Sequence, residues 1–204
     1  VEVGVLGERA IELLAPYAHH RTTGRPYVVL KLAASLDGRT AAPDGTSQWI
    51  TGPDARRDTH LLRAESDAIL VGAGTVRADN PALDVRLIDG PDPRRIVLGT
   101  APAGAAVHPC TELLGDLEAV LDRLGNENVV QLLVEGGASV AGDFHRAGLV
   151  DRYVVYVAPA LFGGDDGRGL FTGAGAATID DVWRGRVLGV HQLGDDVRID
   201  IGPA

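Results

Sequence analysis

Short apolar runs alternate along the chain with longer segments whose apolar residues recur at helical spacing. The apolar runs predict strands at Tyr27–Ala33, Ala68–Gly72, Arg95–Leu98, Val129–Val134 and Tyr153–Val157. Runs that are apolar at nearly every position are typical of strands buried on both faces of a sheet. The pattern therefore predicts an α/β fold with a mainly parallel central sheet that is flanked by helices.

Segments whose apolar residues recur at helical spacing occupy most of the intervals between these strands. The predicted helices lie at Glu8–His20, from Thr51–Asp54 to about Glu65, near Thr75–Ala78, at Leu113–Leu124 and at Ala138–Ala147. Thr51 is expected to cap the second of them, and Arg21–Pro26 to be a linker. The last two apolar runs, Val187–Gln192 and Val197–Ile201, are separated by a short turn and predict a C-terminal antiparallel hairpin.

Two junctions between a predicted strand and a predicted helix are rich in glycine. They are Gly72–Thr75 and Glu135–Ser139. Glycine allows backbone amides to approach a ligand closely, and a helix N-terminus behind them favours an anion such as a pyrophosphate. Neither junction is a dinucleotide fingerprint, because Arg77 stands where the third glycine of GxGxxG would be. The glycines could equally serve only to make tight turns.

The charge balance excludes several classes of partner. The formal net charge is −9, and clustered Lys and Arg are what gives nucleic-acid binding most of its affinity, so no nucleic acid is expected. Lys31 is the only lysine. The apolar run Val154–Phe162 is far shorter than the roughly 20 residues of a membrane span. With no membrane segment and no secretory signal pattern, the expected location is cytoplasmic.

The sequence also gives little support for a metal site or for a serine or cysteine nucleophile. The single cysteine, Cys110, cannot form an internal disulfide or a cysteine-based zinc site, and the six histidines show no HExxH spacing. Ser139 follows two glycines, but Ala141 breaks the G-x-S-x-G pattern of serine hydrolases. We therefore expect neither a metal nor a serine or cysteine nucleophile.

Eight motifs, in an order and spacing that extend over about Arg25 to Ile201, carry a family resemblance. They are Lys31–Gly38, Ser47–Gly52, Ala55–Arg57, Leu62–Arg63, Asp67–Gly72, Gly74–Val76, Ala78–Leu83 with Arg86, and Val134–Gly137. Together they strongly resemble the riboflavin-biosynthesis pyrimidine reductases. The resemblance implies a dihydrofolate-reductase-like fold and NADPH-dependent reduction of 5-amino-6-(5-phosphoribosylamino)uracil to its ribitylamino form.

The resemblance also implies a set of site residues. The substrate contacts that it implies are Ser47, Arg63, Leu83, Arg86 and Glu135. The NADPH contacts that it implies are Ala33, Trp49, Thr75, Thr100, Gly136, Gly137, Ala138, Ser139, Val140, Ala141, Gly142 and Asp143. Asp79 is expected between the two ligands. The segment Gly99–Leu117 is shorter than in many relatives, which normally have another strand and helix there. The part of the cofactor site that this difference affects is the adenosine end.

Two charged residues are candidates for the chemistry itself. Lys31 interrupts an apolar strand, and Glu135 follows another strand at the expected ligand-binding edge. A buried ammonium needs a partner, so we expect Lys31 to pair with Glu135 and the two to polarise the sugar or assist proton transfer. In the alternative, Lys31 extends to solvent from an exposed face of its strand. Arg63 and Arg86 are expected to bind the substrate phosphate.

The family resemblance also suggests how the chain is organised. Residues 1–24 resemble a linker helix left from a deaminase domain, and residues 25–204 the reductase domain. In most bacteria the reductase is fused to the deaminase, and the family is commonly homodimeric. One cysteine cannot supply the zinc motif of the deaminase. Two alternative functions stay open at this point: a reductase of another pterin-like or folate substrate, and a non-catalytic nucleotide-binding domain.

Overall fold

The computed structural model describes residues 4–204, apart from the side chains of residues 8 and 9. Residues 1–3 of the predicted linker segment lie outside the described residues. The helices are α1 (Gly7–Thr23), α2 (Pro53–Ala64), α3 (Ala73–Asp79), α4 (Leu117–Asn126) and α5 (Ala138–Arg146), with a 3-10 turn at Ile179–Asp181. The strands are β1 (Tyr27–Ser35), β2 (Arg39–Ala41), β3 (Ala68–Gly72), β4 (Arg94–Leu98), β5 (Thr111–Leu113), β6 (Gln131–Val134), β7 (Arg152–Ala158), β8 (Arg168–Gly169), β9 (Gly185–Leu193) and β10 (Asp196–Pro203).

Eight of these strands form one sheet in the order β5-β4-β3-β6-β1-β7-β10-β9. The pairs from β5 to β7 are all parallel, whereas β10 pairs antiparallel with β7 and with β9. The mainly parallel sheet and the C-terminal hairpin are thus confirmed. The short strands β2 and β8 pair antiparallel in a separate two-stranded sheet.

Each face of the large sheet carries its own apolar core. One core includes Leu30, Leu70, Leu132 and Phe144, and the other includes Val29, Ile69, Leu133 and Tyr156, all fully or nearly fully buried. Consecutive residues of β1, β3 and β6 alternate between the two cores, because side chains of a strand point alternately to opposite faces. Burial on both faces is the reason why these strands are apolar at almost every position.

Three local predictions were wrong. Gly52, and not Thr51, is the N-cap of α2, without a side-chain cap, and its N–H donates to Asp196 Oδ2 at 2.7 Å. The fourth predicted helix begins only at Leu117, because Leu113 closes β5 and Asp116 caps α4 by accepting from Ala119 N at 2.9 Å. The predicted linker at Arg21 is still helical, since α1 continues to Thr23.

Candidate active site

A cavity of about 700 Å³ lies over the carboxyl-end half of the parallel strands β1, β3 and β6. Its floor comes from these strands and from the starts of α3 and α5. Its cover is the small β2–β8 sheet with the residues that follow it, here called the flap (39–41 and 168–172). The position is the one that α/β sheets use for ligands, at the carboxyl ends of their strands.

One wall of the cavity is a glycine cradle at the start of α5. A Cβ on Gly136 would lie 2.6 Å from Val140 Cβ, so the backbone approaches the helix more closely than any side chain would allow. Gly137 is the N-cap of α5 and donates its N–H to Thr75 Oγ1 at 3.2 Å. The first turn of a helix leaves N–H groups without intrahelical partners, and these suit an anion. The cradle therefore fits a diphosphate.

A second wall holds a buried ion pair between the end of β6 and the end of α2. Arg63 Nε donates to Glu135 Oε1 at 2.7 Å and Arg63 Nη2 to Oε2 at 3.0 Å, with side chains only 11% and 10% exposed. Burial by itself would raise the pKa of Glu135, but the charges of Arg63 and Lys31 outweigh it and lower that pKa. Glu135 is consequently an ionised acceptor at the cavity.

Lys31 lies on the same side of the cavity, yet its predicted ion pair with Glu135 is not formed. Arg63 engages both carboxylate oxygens of Glu135, and the Lys31 ammonium stays outside ion-pair distance. Burial lowers the pKa of Lys31, while the charge of Glu135 opposes the shift. Lys31 Nζ lies over the ring of Tyr156, 5.7 Å from the ring centroid. Lys31 is partly buried and lines the cavity, so it does not simply extend to solvent.

The two arginines predicted to hold a phosphate converge on one short segment. Arg63 Nη1 donates to the carbonyl of Asp84 at 3.0 Å, and Arg86 forms an ion pair with the Asp84 carboxylate. The backbone N–H of Arg86 donates to His60 Nδ1 at 3.1 Å. Burial, followed by the charges of Arg63 and Arg86, lowers the pKa of His60. The half-exposed Arg86 does not line the main cavity. Arg63 does not line the cavity either, but it holds Glu135, which does.

The cavity brings together most of the predicted site residues. Its lining includes Lys31, Ala33, Ser47, Thr75, Asp79, Glu135, Gly136, Gly137, Ala138, Ser139 and Val140. Trp49 lies instead at a smaller neighbouring cavity of about 230 Å³, which shares Ser47, and its indole packs under the Arg56 guanidinium at 4.8 Å.

The other predicted residues lie away from the lining. Ala141 and Gly142 are buried inside α5, and Asp143 pairs with Arg146 on the outer side of that helix. Thr100 is exposed beyond the end of β4. Leu83 is buried in the core that packs against α2 and has a positive φ of 56°. The assignments of these residues stay predictions.

The flap residues were missed by sequence reasoning. Thr40, Arg168, Leu170 and Thr172 all line the cavity. Thr40 Oγ1 donates to the carbonyl of Arg168 at 3.3 Å, and Thr172 N donates to Ala138 O at 3.0 Å, which ties the flap to the start of α5. The available signal was an arginine inside the glycine-rich stretch after β7.

Neither metal ligation nor a membrane span emerges from the part of the chain that the structure describes. No group of three or more His, Cys, Asp and Glu side chains there could hold a metal ion. Among the same residues, no helix has both the length and the apolar character needed to cross a bilayer.

The fold and the site define an α/β domain with an anion cradle and a charged pocket at the carboxyl ends of its parallel strands. The chain belongs to the RibD C-terminal domain family, which matches residues 26–199. The dihydrofolate-reductase-like fold class expected from the sequence is confirmed by the structural relatives.

Individual relatives cover the whole of this chain. It is 37% identical over 238 residues to the riboflavin biosynthesis protein RibD of Bacillus amyloliquefaciens, with 100% of this chain and 64% of the relative aligned. A solved structure of Acinetobacter baumannii RibD superposes with a TM-score of 0.90 at 33% identity, covering 100% of this chain and 65% of that one.

A third relative carries a descriptive name. It is the Thermotoga maritima diaminohydroxyphosphoribosylaminopyrimidine deaminase/5-amino-6-(5-phosphoribosylamino)uracil reductase, with a TM-score of 0.85 at 29% identity, covering 98% of this chain and 63% of that one. The chain thus spans less than two thirds of the length of these relatives.

Proposed function

We propose that this chain is a reductase that uses NADPH to convert 5-amino-6-(5-phosphoribosylamino)uracil into its ribitylamino product in riboflavin biosynthesis. Membership of the RibD C-terminal domain family supports the reaction class, and the Thermotoga maritima relative is named for this substrate. The observation that carries the proposal is the cavity, which is lined both by the diphosphate cradle and by Lys31 and Glu135.

The residues of the cavity fit a nicotinamide dinucleotide. Gly136 lets the backbone pack directly on Val140, a Cβ on Gly137 would meet only Thr75 Oγ1, and the N-terminus of α5 with Thr75 supplies donors for a diphosphate. When bound, NADPH supplies the hydride. The chain has to hold the hydride donor and the substrate carbon in line, because alignment of two reactants raises the reaction rate.

The other pocket residues act on the sugar. Opening of the ribose ring at C1′ gives an imine-like carbon that accepts the hydride, and the ring oxygen takes up a proton. Lys31 is the donor or polarising group that we assign to this oxygen. Glu135, kept ionised by Arg63, accepts hydrogen bonds from the substrate, and Arg63 with Arg86 attracts the phosphate.

The proposal is tested by NADPH oxidation with purified protein and three substrates. We expect rapid loss of NADPH absorbance with the phosphoribosylaminouracil, and none with dihydrofolate or a dihydropterin. Turnover of a pterin instead would favour the alternative reductase. Tight NADPH binding without turnover of any of the three would favour a non-catalytic nucleotide-binding domain.

Gly137→Val is expected to weaken NADPH binding by at least tenfold while the domain stays folded. The backbone of Gly137, with φ −66° and ψ 173°, is open to valine, and the new Cβ would meet only the movable Thr75 Oγ1 at 3.2 Å. The added methyl groups would nevertheless occupy the space beside the diphosphate, and one lost charge-assisted hydrogen bond costs about 1.5–3 kcal/mol. Fluorescence titration of NADPH measures the affinity.

The matched control for this variant is Gly175→Val. Gly175 is an exposed loop glycine with open space around its Cβ position, remote from the α5 cradle in sequence. This control should bind NADPH like the parent. Equal affinities of parent, control and Gly137→Val would place the diphosphate elsewhere.

We further propose that the domain forms a homodimer through the edge strand β9. Every residue of β9 is exposed or partly exposed, with Val187 63% and Val190 61% exposed, and Trp183 just before the strand is 40% exposed. An open apolar edge strand is a surface that natural proteins normally cover or charge. A second copy of the same strand would cover it with an isologous interface.

Replacing Val187 and Val190 together by Lys is expected to yield a folded monomer, because like charges would oppose each other at the symmetric contact. Light scattering reports the mass, and Leu114→Lys, at a 77% exposed leucine outside the sheet edge, is the control. A monomeric parent, or a dimer that survives the double replacement, would refute this interface.

We also propose that the complete cytosolic protein carries a deaminase domain before residue 25. The relatives extend well beyond the length of this chain, and the name of the Thermotoga maritima relative includes the deaminase. Leu6, Leu13 and Tyr17 of the α1 region are 58–82% exposed and would pack against such a domain. Sequencing upstream of the codon for Val1 should reveal the H-x-E and P-C-x-x-C zinc motifs.

A further inference from the structure

A row of polar side chains crosses one face of the sheet behind the cavity. Tyr156 on β7 is paired with Ala33 of β1 and with Arg198 of β10, and Lys31 stands two residues before Ala33. Side chains in register, or two residues apart on a strand, point to the same face. Lys31, Tyr156 and Arg198 therefore share the face that packs against α2.

Tyr156 is clamped at its hydroxyl end. Its Oη donates to Asp58 Oδ2 at 2.6 Å, and Arg198 Nη1 donates to the same oxygen at 2.8 Å. Arg198 is held in turn by Asp200 at 3.0 Å through both Nε and Nη2. Tyr156 is 0% and Asp200 1% exposed. A fully buried ring with an anchored hydroxyl has a fixed position and a fixed tilt.

The face of this clamped ring is turned to the Lys31 ammonium, with 5.7 Å between Nζ and the ring centroid. An ammonium within about 6 Å of a ring centroid is attracted by the ring quadrupole. The charged groups that act on Lys31 from the other elements are Glu135, after β6, and Arg63, on α2. Burial, with the neighbouring Asp58, raises the pKa of Tyr156, so the phenol remains a neutral donor.

We propose that Tyr156 is a positioning residue that holds the Lys31 ammonium at the cavity, with Asp58 and Arg198 fixing its ring. The effect of Tyr156 on catalysis rests on the proposed function, in which Lys31 acts on the substrate. The contact between the Tyr156 ring and the Lys31 ammonium is independent of that function. Because Arg63 already occupies Glu135, the ring supplies the contact that an ion pair would otherwise provide.

Two replacements separate the ring from its hydroxyl. Tyr156→Phe keeps the ring, and we expect its kcat to stay within about threefold of the parent. Tyr156→Leu removes the ring, and we expect kcat to fall about fivefold to tenfold, in the range of a lost cation–π contact in a desolvated site. The KM for NADPH should stay unchanged, because Tyr156 does not line the cavity.

The single lysine of the chain allows a readout that needs no substrate. With ¹³C-labelled lysine, nuclear magnetic resonance reports the titration of Lys31 in the folded protein. Loss of the ring removes an interaction that favours the charged form, so the midpoint should move to lower pH in Tyr156→Leu by about half a pH unit. The basic limb of the kcat–pH profile should move in the same direction.

Tyr153→Leu is the structural control. Tyr153 is a buried aromatic residue of the same strand, but it belongs to the opposite core, where its hydroxyl meets His145 Nδ1 at 2.7 Å and its ring packs on Trp183. Its loss should affect stability without moving the Lys31 midpoint. Should Tyr156→Leu fail to fold, Asp58→Asn takes its place, since it loosens the ring without a cavity and should shift the midpoint less but in the same direction.

The outcomes distinguish the two proposals. An unchanged or raised Lys31 midpoint in folded Tyr156→Leu, or an equal shift in Tyr153→Leu, overturns the positioning role. A parent protein without reductase activity refutes the proposed function, yet the lysine titration still decides whether the ring holds the ammonium.

Discussion

Replacing Lys31 by Met is expected to lower kcat for the pyrimidine substrate by a factor of about 100 or more, as loss of an acid–base or electrostatic group does. Met has a similar length and no charge, so the strand and the partly buried position remain filled. Lys31 lines the cavity but belongs to β1 and is not part of the glycine cradle at the start of α5. NADPH binding, measured by fluorescence, should therefore stay close to that of the parent.

Lys31→Arg is the companion variant for this experiment. It retains a positive charge, but the guanidinium does not release its proton in the accessible pH range. A loss of kcat in Lys31→Met that Lys31→Arg restores would indicate a purely electrostatic role, and a loss in both would indicate proton transfer. A Lys31→Met enzyme with parental kcat would leave Lys31 as a structural residue and exclude it from the chemistry.

The large sheet was predictable because its signals are local. The run Ala68–Gly72 was predicted with the bounds that β3 has, since all five of its residues are buried and apolar. The glycine junctions could be placed at the ligand edge for the same reason, because each directly follows such a strand. Local sequence therefore predicted both the layers of the fold and one wall of the cavity.

The flap and the ion pair of the site depend on contacts that a local pattern does not encode. Strands β2 and β8 have only three and two residues, and their partners are about 130 positions apart in the chain. Likewise, the sequence suggested Lys31 as the partner of Glu135, whereas Arg63 takes that place because of how α2 docks against the end of β6. Only the packed structure decides between such alternatives.

Arg63→Ala is expected to lower the free energy of unfolding by about 3–5 kcal/mol near neutral pH, the usual cost of removing one partner of a buried ion pair. Both side chains are close to 10% exposed, so solvent cannot replace the guanidinium that Glu135 loses. Denaturant unfolding measures the change. Arg123→Ala breaks the exposed pair with Glu127 on α4 and should cost less than about 1 kcal/mol.

The pH dependence of this deficit identifies its cause. In the parent, the folded-state pKa of Glu135 is lowered, so its contribution to stability is present above the unfolded pKa and is lost as the pH falls through the folded pKa. In Arg63→Ala the burial of Glu135 is no longer opposed by the Arg63 charge, and the folded-state pKa rises. Protonation of Glu135 then favours the folded variant, so the deficit should shrink between neutral pH and pH about 5. A deficit that stays constant over this range would show that lost packing of the Arg63 side chain, and not an unpaired carboxylate, causes the instability.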